Sequence, residues 1–196
     1  MREGEGARPP GYPWVNCGAD SQVEPVQREF NSGRMTAEIT ADYITGAIAR
    51  CVELHARYYS ETAGFGRHFE AKVAGGLAAF CERLHRPCNR LWLATEAGRI
   101  LGSVAIDGED LGSNLAHLRW FIVEPEAQGQ GIGRRLLAAT MAFCMEQNFA
   151  ECHLWTFKGL DAARQLYEAH GFELAEEWLG TQWGKEVTEQ RMVRRF

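Results

Sequence analysis

The residues best equipped for chemistry lie between Leu118 and Leu137, which read LRWFIVEPEAQGQGIGRRLL. Within them, Gln128-Gly129-Gln130-Gly131-Ile132-Gly133 sets a glycine at every second position, leaving main-chain amides unshielded by Cβ atoms. The helix-forming run RRLLAATMAFCMEQ follows at once. The first N–H groups of a helix have no partner inside it, and its dipole favours negative charge at that end. Ahead of the turn, Leu118 to Val123 is apolar except for Arg119, the pattern of a strand buried on both faces, and Pro125 ends it. Strand, glycine turn and helix start together make an anion cradle, suited to a phosphate or pyrophosphate.

Several phosphate ligands compete for such a cradle. A Walker loop would end in Gly-Lys-Ser/Thr, which is absent. A dinucleotide fingerprint starting at Gly129 needs a glycine at position 134, which is Arg134, although Glu151 falls near where its ribose-binding acid would sit. A glycine-rich turn with no ligand also stays open on the turn alone.

Composition narrows the classes further. A chain of 196 residues, 45% hydrophobic and 24% charged, is long enough for one domain with a core and hardly enough for two. Its net charge of −5 argues against a nucleic-acid partner, and Arg191, Arg194 and Arg195 read as flanking a strand. A mildly acidic surface suits a cationic acceptor such as an amine. No apolar run reaches membrane-spanning length and no signal-peptide core is present, so a cytoplasmic protein is expected. The six scattered cysteines then read as reduced thiols, with Cys144 and Cys152 in the core. Cys81, His85 and Cys88 could hold zinc and the loop Asp107 to Asp110 another cation, but packing and a solvated turn outweigh both, and no metal is expected.

The elements that must position the turn follow from periodicity. Residues 1–37 read as an irregular arm, with four of the six prolines before residue 35 and with Tyr12, Trp14 and Val15 to pack on the domain or a neighbouring subunit. A short strand is predicted within 35–42. Helical spacing runs from Ile44 to Tyr59, carrying His55, Tyr58 and Tyr59 near its end as packing residues or as lining for an acceptor pocket. A second helix spans His68 to Leu84, with Phe69, Val73, Leu77 and Phe80 on one stripe. A hairpin turns at Glu96-Ala97-Gly98-Arg99, and the central strand covers Leu115 to Val123. The helix after the glycine turn runs to Gln147, and a strand covers Ala150 to Phe157. A short helix follows with Asp161 as N-cap and Gly171 just past its end, then strands over Phe172–Trp178 and Val187–Val193.

Gln128, Gly131 and Gly133 match, position for position, the Gln/Arg-x-x-Gly-x-Gly/Ala motif of the GNAT N-acetyltransferase superfamily. Ala163-Arg164-Gln165-Leu166-Tyr167-Glu168-Ala169-His170-Gly171-Phe172 matches its A-x-x-L-Y-E-x-x-G-F signature at the proper distance. Residues 38–196 therefore resemble a GNAT domain, and the run His153 to Phe157 resembles a subgroup found fused to MarR-type regulators. The resemblance implies a mixed α/β fold, a central mixed sheet with splayed parallel strands flanked by helices.

It also implies acetyl-coenzyme A (acetyl-CoA) as cosubstrate and direct transfer to a primary amine of a small molecule or peptide. A catalytically silent acyl-CoA-binding domain is the alternative, and a homodimer is an arrangement such domains often adopt. Main-chain groups of Phe121, Ile122 and Val123 would pair with the pantetheine arm. Gln128, Gly129, Gln130, Gly131, Ile132, Gly133 and Arg134 would hold the pyrophosphate, with Thr156, Ala163 and Tyr167 completing the contacts. Tyr167 falls where the superfamily keeps the acid that protonates the leaving thiolate. His117, at the strand position of a catalytic glutamate in relatives, and Glu124 at the strand end are the candidate bases. The acceptor pocket would draw on His55, Tyr58, Tyr59 and the loop at Trp183. One departure stands out: Leu160 occupies the position of a coenzyme-binding asparagine.

Overall fold

Alternation along one strand sets the layering. In β2 (Arg90–Glu96), Leu91 and Leu93 pack on one side of the sheet while Trp92 and Ala94 pack on the other, and all four are buried. A strand apolar on both faces needs cover on both. Helices α1 (Ala47–Ala63) and α2 (Arg67–Cys81) supply one cover, and α3 (Ile132–Glu146) the other. The computed structural model describes residues 37–112 and 114–196, which fall in the compact unit Met35–Phe196. The expected arm, with Tyr12, Trp14 and Val15, lies outside the described residues apart from Ala37, which is buried.

The remaining elements are β1 (Glu38–Thr40), β3 (Arg99–Asp107), β4 (Leu115–Val123), β5 (Glu151–Phe157), α4 (Asp161–Ala169), β6 (Glu173–Gly180) and β7 (Val187–Arg195). The seven strands form one sheet in the order β1-β2-β3-β4-β5-β7-β6. Every neighbouring pair is antiparallel except β4 and β5, so the sheet is mixed and flanked by helices. The hairpin between β2 and β3 turns where expected, with Ala97 at φ 49° and Gly98 at φ 79°, the left-handed pair a two-residue loop requires. Strands β1 and β6 form the two edges of the sheet, and Glu173, Glu176 and Glu177 stand exposed along β6.

The predicted stripe of α2 is buried in full: Phe69, Val73, Leu77 and Phe80. Elements differ from expectation mainly at their ends. Helix α1 starts at Ala47 and runs on to Ala63, because Gly64 in the left-handed region (φ 67°) closes it. Leu160 rather than Asp161 is the N-cap of α4, and Asp161 is its first helical residue. The acidic loop also departs from a purely solvated turn. Asp107 ends β3 fully buried, bound by Arg83 at 2.8 Å and Arg119 at 3.3 Å. Burial opposes its charge, but the Arg83 bond and the Glu109 N–H outweigh that and hold its carboxyl below the usual range.

Two histidines, His55 buried and His117 half-buried, carry the opposite sign. Burial pushes both His55 and His117 down to about 4, against the bonds to the Cys51 carbonyl and to Asp110 that would raise them. A histidine whose folded value lies below its unfolded value contributes stability above about pH 6.5 and loses it down to the folded value. Chemical denaturation between pH 7 and pH 4 should show stability falling by up to about 1.4 kcal/mol per pH unit for each histidine. His55→Gln should make that slope shallower, whereas an unchanged slope would place proton uptake elsewhere.

Candidate active site

The site begins where two parallel strands stop pairing. β4 and β5 are in register from Leu115↔Glu151 to His117↔His153 and no further, while both strands continue. A bulge in β4 turns it away: its register with β3 shifts between Ser103 and Ala105, and Trp120 adopts φ 48°, unusual for an aromatic residue. Ser103 Oγ donates to the Trp120 carbonyl at 2.9 Å, and the Arg119 guanidinium lies 4.1 Å from the centre of the Trp120 ring. Gly76 of α2 lets the helix sit close, since a Cβ there would be 3.3 Å from Trp120 Cζ2. The parted strands leave a cleft that opens into two cavities.

The first, of about 320 Å³, lies over the glycine turn. Phe121, Ile122, Val123, Gln128, Gly129 and Gly131 border it, with Ile132, Gly133 and Arg134 from the start of α3. Ala163 and Tyr167 of α4 form its far wall. Gly131 is the N-cap of α3 at φ 80°, and no side chain caps that end. The N–H groups of Gly131 to Arg134 are therefore the unpaired ones of the first turn. Gly133 is tightly packed: a Cβ would stand 3.1 Å from Leu166 and 3.3 Å from the Phe121 ring, so either would have to give way slightly. Gln128 Nε2 donates to the Val123 carbonyl at 3.1 Å, which fixes the entrance of the turn. Gln130 is not part of this wall; its side chain folds back to the Glu126 carbonyl at 3.3 Å. Arg135 turns away to the Ala37 carbonyl, leaving Arg134 as the arginine on the groove.

The second cavity, of about 340 Å³, lies across the sheet between α1, α2 and the β6–β7 loop. His55, Tyr59 and Trp183, the expected acceptor residues, line it with the candidate base His117; Thr156, expected among the coenzyme contacts, lies here and not on the first cavity, and Tyr58 borders the first cavity instead. Lys72, Asp110, Arg119, Trp155 and Gln182 also line it, and their sequence context gave no sign of this. Tyr59, Phe121, Leu160 and Tyr167 border both cavities and mark where they meet. Leu160, which cannot take the place of the asparagine's hydrogen bond, gives that junction an apolar surface.

Tyr167 is buried at the junction, its ring 5.8 Å from that of Phe121 and 6.0 Å from that of Phe172. Burial, with Tyr59 and Tyr58 adding to it, pushes its phenol far above the usual range, so it carries its proton at any working pH. Tyr167 lines both cavities, and among the described residues its hydroxyl has no hydrogen-bond partner.

The two candidate bases fare differently. Glu124 is buried, bonded to Arg50 at 2.6 Å and to Arg99, and borders neither cavity. A carboxylate held by two guanidiniums ties α1 to the strand end and is poorly placed to take a substrate proton. His117 does line the second cavity, its Nδ1 2.6 Å from Asp110 Oδ2 and its ring edge-on to Trp155. With its basicity reduced to about 4 it is neutral at pH 7, and it stands four positions before Phe121 on β4, at most about 13 Å along the strand.

The β6–β7 loop is held by a clamp that sequence did not reveal. Buried Glu189 of β7 accepts the Gln182 N–H at 2.9 Å and its Nε2 at 2.6 Å. Lys72 Nζ of α2 donates to the Gln182 carbonyl at 3.0 Å, and Lys185 Nζ to the Ala63 carbonyl at 2.8 Å.

Comparison with known proteins agrees with this architecture. A ribosomal-protein-alanine N-acetyltransferase from Brucella melitensis is similar with TM-score 0.66 at 17% identity, covering 81% of this chain and 99% of that one. The PaiA N-acetyltransferase from Thermoplasma acidophilum, solved with coenzyme A, gives TM-score 0.65 at 16% identity over 83% of this chain and 100% of its own. A putative acetyltransferase from Salmonella typhimurium, solved with acetyl-CoA, gives 0.66 at 16% over 81% and 93%. No curated protein matches the chain in sequence. The model of the acetyltransferase (GNAT) family matches residues 48–172, well over half of the sequence, and the chain belongs to that family.

Proposed function

We propose that the protein moves an acetyl group from acetyl-CoA to a primary amine by direct attack. The observation that carries this reading is the pair of cavities meeting at Tyr167, one floored by unpaired amides and the other lined by apolar rings. The pyrophosphate would lie on the N–H groups of Gly131 to Arg134, with the Arg134 side chain beside it. The pantetheine arm would run along the free edge of β4 at Phe121 to Val123, pairing as an added strand does. The thioester then reaches the junction of the cavities.

There the neutral amine attacks the carbonyl carbon, the C–S bond breaks, and the Tyr167 hydroxyl gives its proton to the departing thiolate. The proton left on the new amide nitrogen passes to solvent, and Tyr167 is reprotonated from solvent. Neither Glu124 nor His117 is needed to strip the amine. Glu124 serves α1 and the strand end. His117, whose Nδ1 is taken by Asp110, has Nε2 left to accept a hydrogen bond from the body of the acceptor. Within the family, the likeness to the regulator-fused subgroup rests on the run His153 to Phe157 alone. Among the described residues no helix is long and apolar enough to cross a membrane.

Tyr167→Phe should lower kcat about 100-fold while the acetyl-CoA Kd from calorimetry stays within about twofold; unchanged turnover would remove the tyrosine from the chemistry, and no turnover in the parent protein would favour a silent coenzyme-binding domain. Gly131→Ala puts a Cβ on a left-handed residue, and should cost about 1–2 kcal/mol in chemical denaturation and weaken acetyl-CoA at least about tenfold. Unaltered affinity would mean the turn does not hold the diphosphate.

A further inference from the structure

We infer that the acceptor is a small primary amine carried on an aromatic or similarly flat apolar body, seated beneath the β6–β7 loop. This rests on the acetyl transfer proposed above and adds what the second cavity selects.

The wall chemistry comes first. Tyr59, Phe65, Phe69, Phe157 and Trp183 pack ring to ring, with centroids from 5.1 Å (Tyr59–Phe69) to 6.0 Å (Phe65–Trp183). Stacked rings reward an apolar, planar guest through buried area and ring contacts. They return little to a hydrated chain of amines or a peptide backbone, whose polar groups would go without partners.

Charge gives the same answer. Among the described residues Asp110 is the one carboxylate on the cavity wall, and His117 and Arg119 already contact it, at 2.6 and 3.5 Å. Arg119 is also spent on Asp107 and the Trp120 ring. Among the described residues no carboxylate is left over to hold a second ammonium, as a polyamine would require.

The roof supplies the size limit. An extended polypeptide would have to lie between the α1–α2 connection and the β6–β7 loop. That gap is bridged twice, by Lys72 to the Gln182 carbonyl and Lys185 to the Ala63 carbonyl, and Trp183 lies over Phe65 between the bridges. Glu189 keeps the loop in place by binding both nitrogens of Gln182. The cavity, open on one side, holds about 340 Å³ beneath these bridges, room for a ring and a short tether.

The test measures coenzyme A release from acetyl-CoA with 2-phenylethylamine, benzylamine, n-butylamine, spermidine and a short peptide with free amines. The arylalkylamines should exceed the others in kcat/KM by at least about tenfold. Trp183→Ala should raise their KM about tenfold, Trp183→Phe should restore most of it, and acetyl-CoA affinity by calorimetry should not move in either variant. Spermidine or the peptide matching the arylalkylamines would overturn the inference, as would a Trp183→Ala enzyme with unchanged KM. So would a protein that binds acetyl-CoA yet acetylates none of the arylalkylamines. A protein that does not bind acetyl-CoA sinks the underlying proposal instead.

Discussion

The structure depends on a parting of strands. Parallel neighbours normally stay paired to their ends, because unmade main-chain hydrogen bonds away from water are costly. Here β4 leaves β5 after His117, and the bulge at Trp120 is what redirects it. The unusual backbone at Trp120 is held from several sides: Ser103 on its carbonyl, Arg119 on its ring, and α2 close against it at Gly76. Residues kept in a rare conformation persist only where their surroundings hold them there, and functional sites are where such surroundings recur. Both cavities, and the tyrosine between them, exist because the bulge is maintained.

Support for that geometry comes largely from charges on the helix side of the sheet. Asp107 collects Arg83 and Arg119, and Glu124 collects Arg50 and Arg99. Each carboxylate sits at an end of a central strand, and its arginines come from α1, the end of α2, or a neighbouring strand. Removing one partner from a buried pair leaves an uncompensated charge, so these joints fix helix position even where their net contribution to stability is small.

What could be read from the residues follows a physical division. Local features were legible: the glycine turn, the apolar stripe of α2, the positive-φ hairpin at Ala97-Gly98, and the motif that places Tyr167. Each depends on chain neighbours, and periodicity or backbone freedom reports those directly. Pairings between distant residues were not. Nothing near Glu124 in the chain announces Arg50, and nothing near Glu189 announces Gln182 as its partner. The loop Asp107 to Asp110 looked solvated because turn formers fill it, yet its first residue caps a buried strand and its last faces a cavity. His117 was recognisable as a strand residue and a candidate base, but its weakened basicity comes from burial that only the packed fold creates.

The outer strand β6 has its own consequence. Its free edge could recruit another strand, the usual route by which β proteins extend into aggregates. Glu173, Glu176 and Glu177 line that rim, with Arg191 answering only Glu176 and Arg195 reaching Glu173 at 3.8 Å. Two copies brought rim to rim would set one row of carboxylates against its double, a repulsion that salt would soften and acid would erase. Self-association through this border is thus opposed at neutral pH, and a dimer of this chain would have to be built on another face.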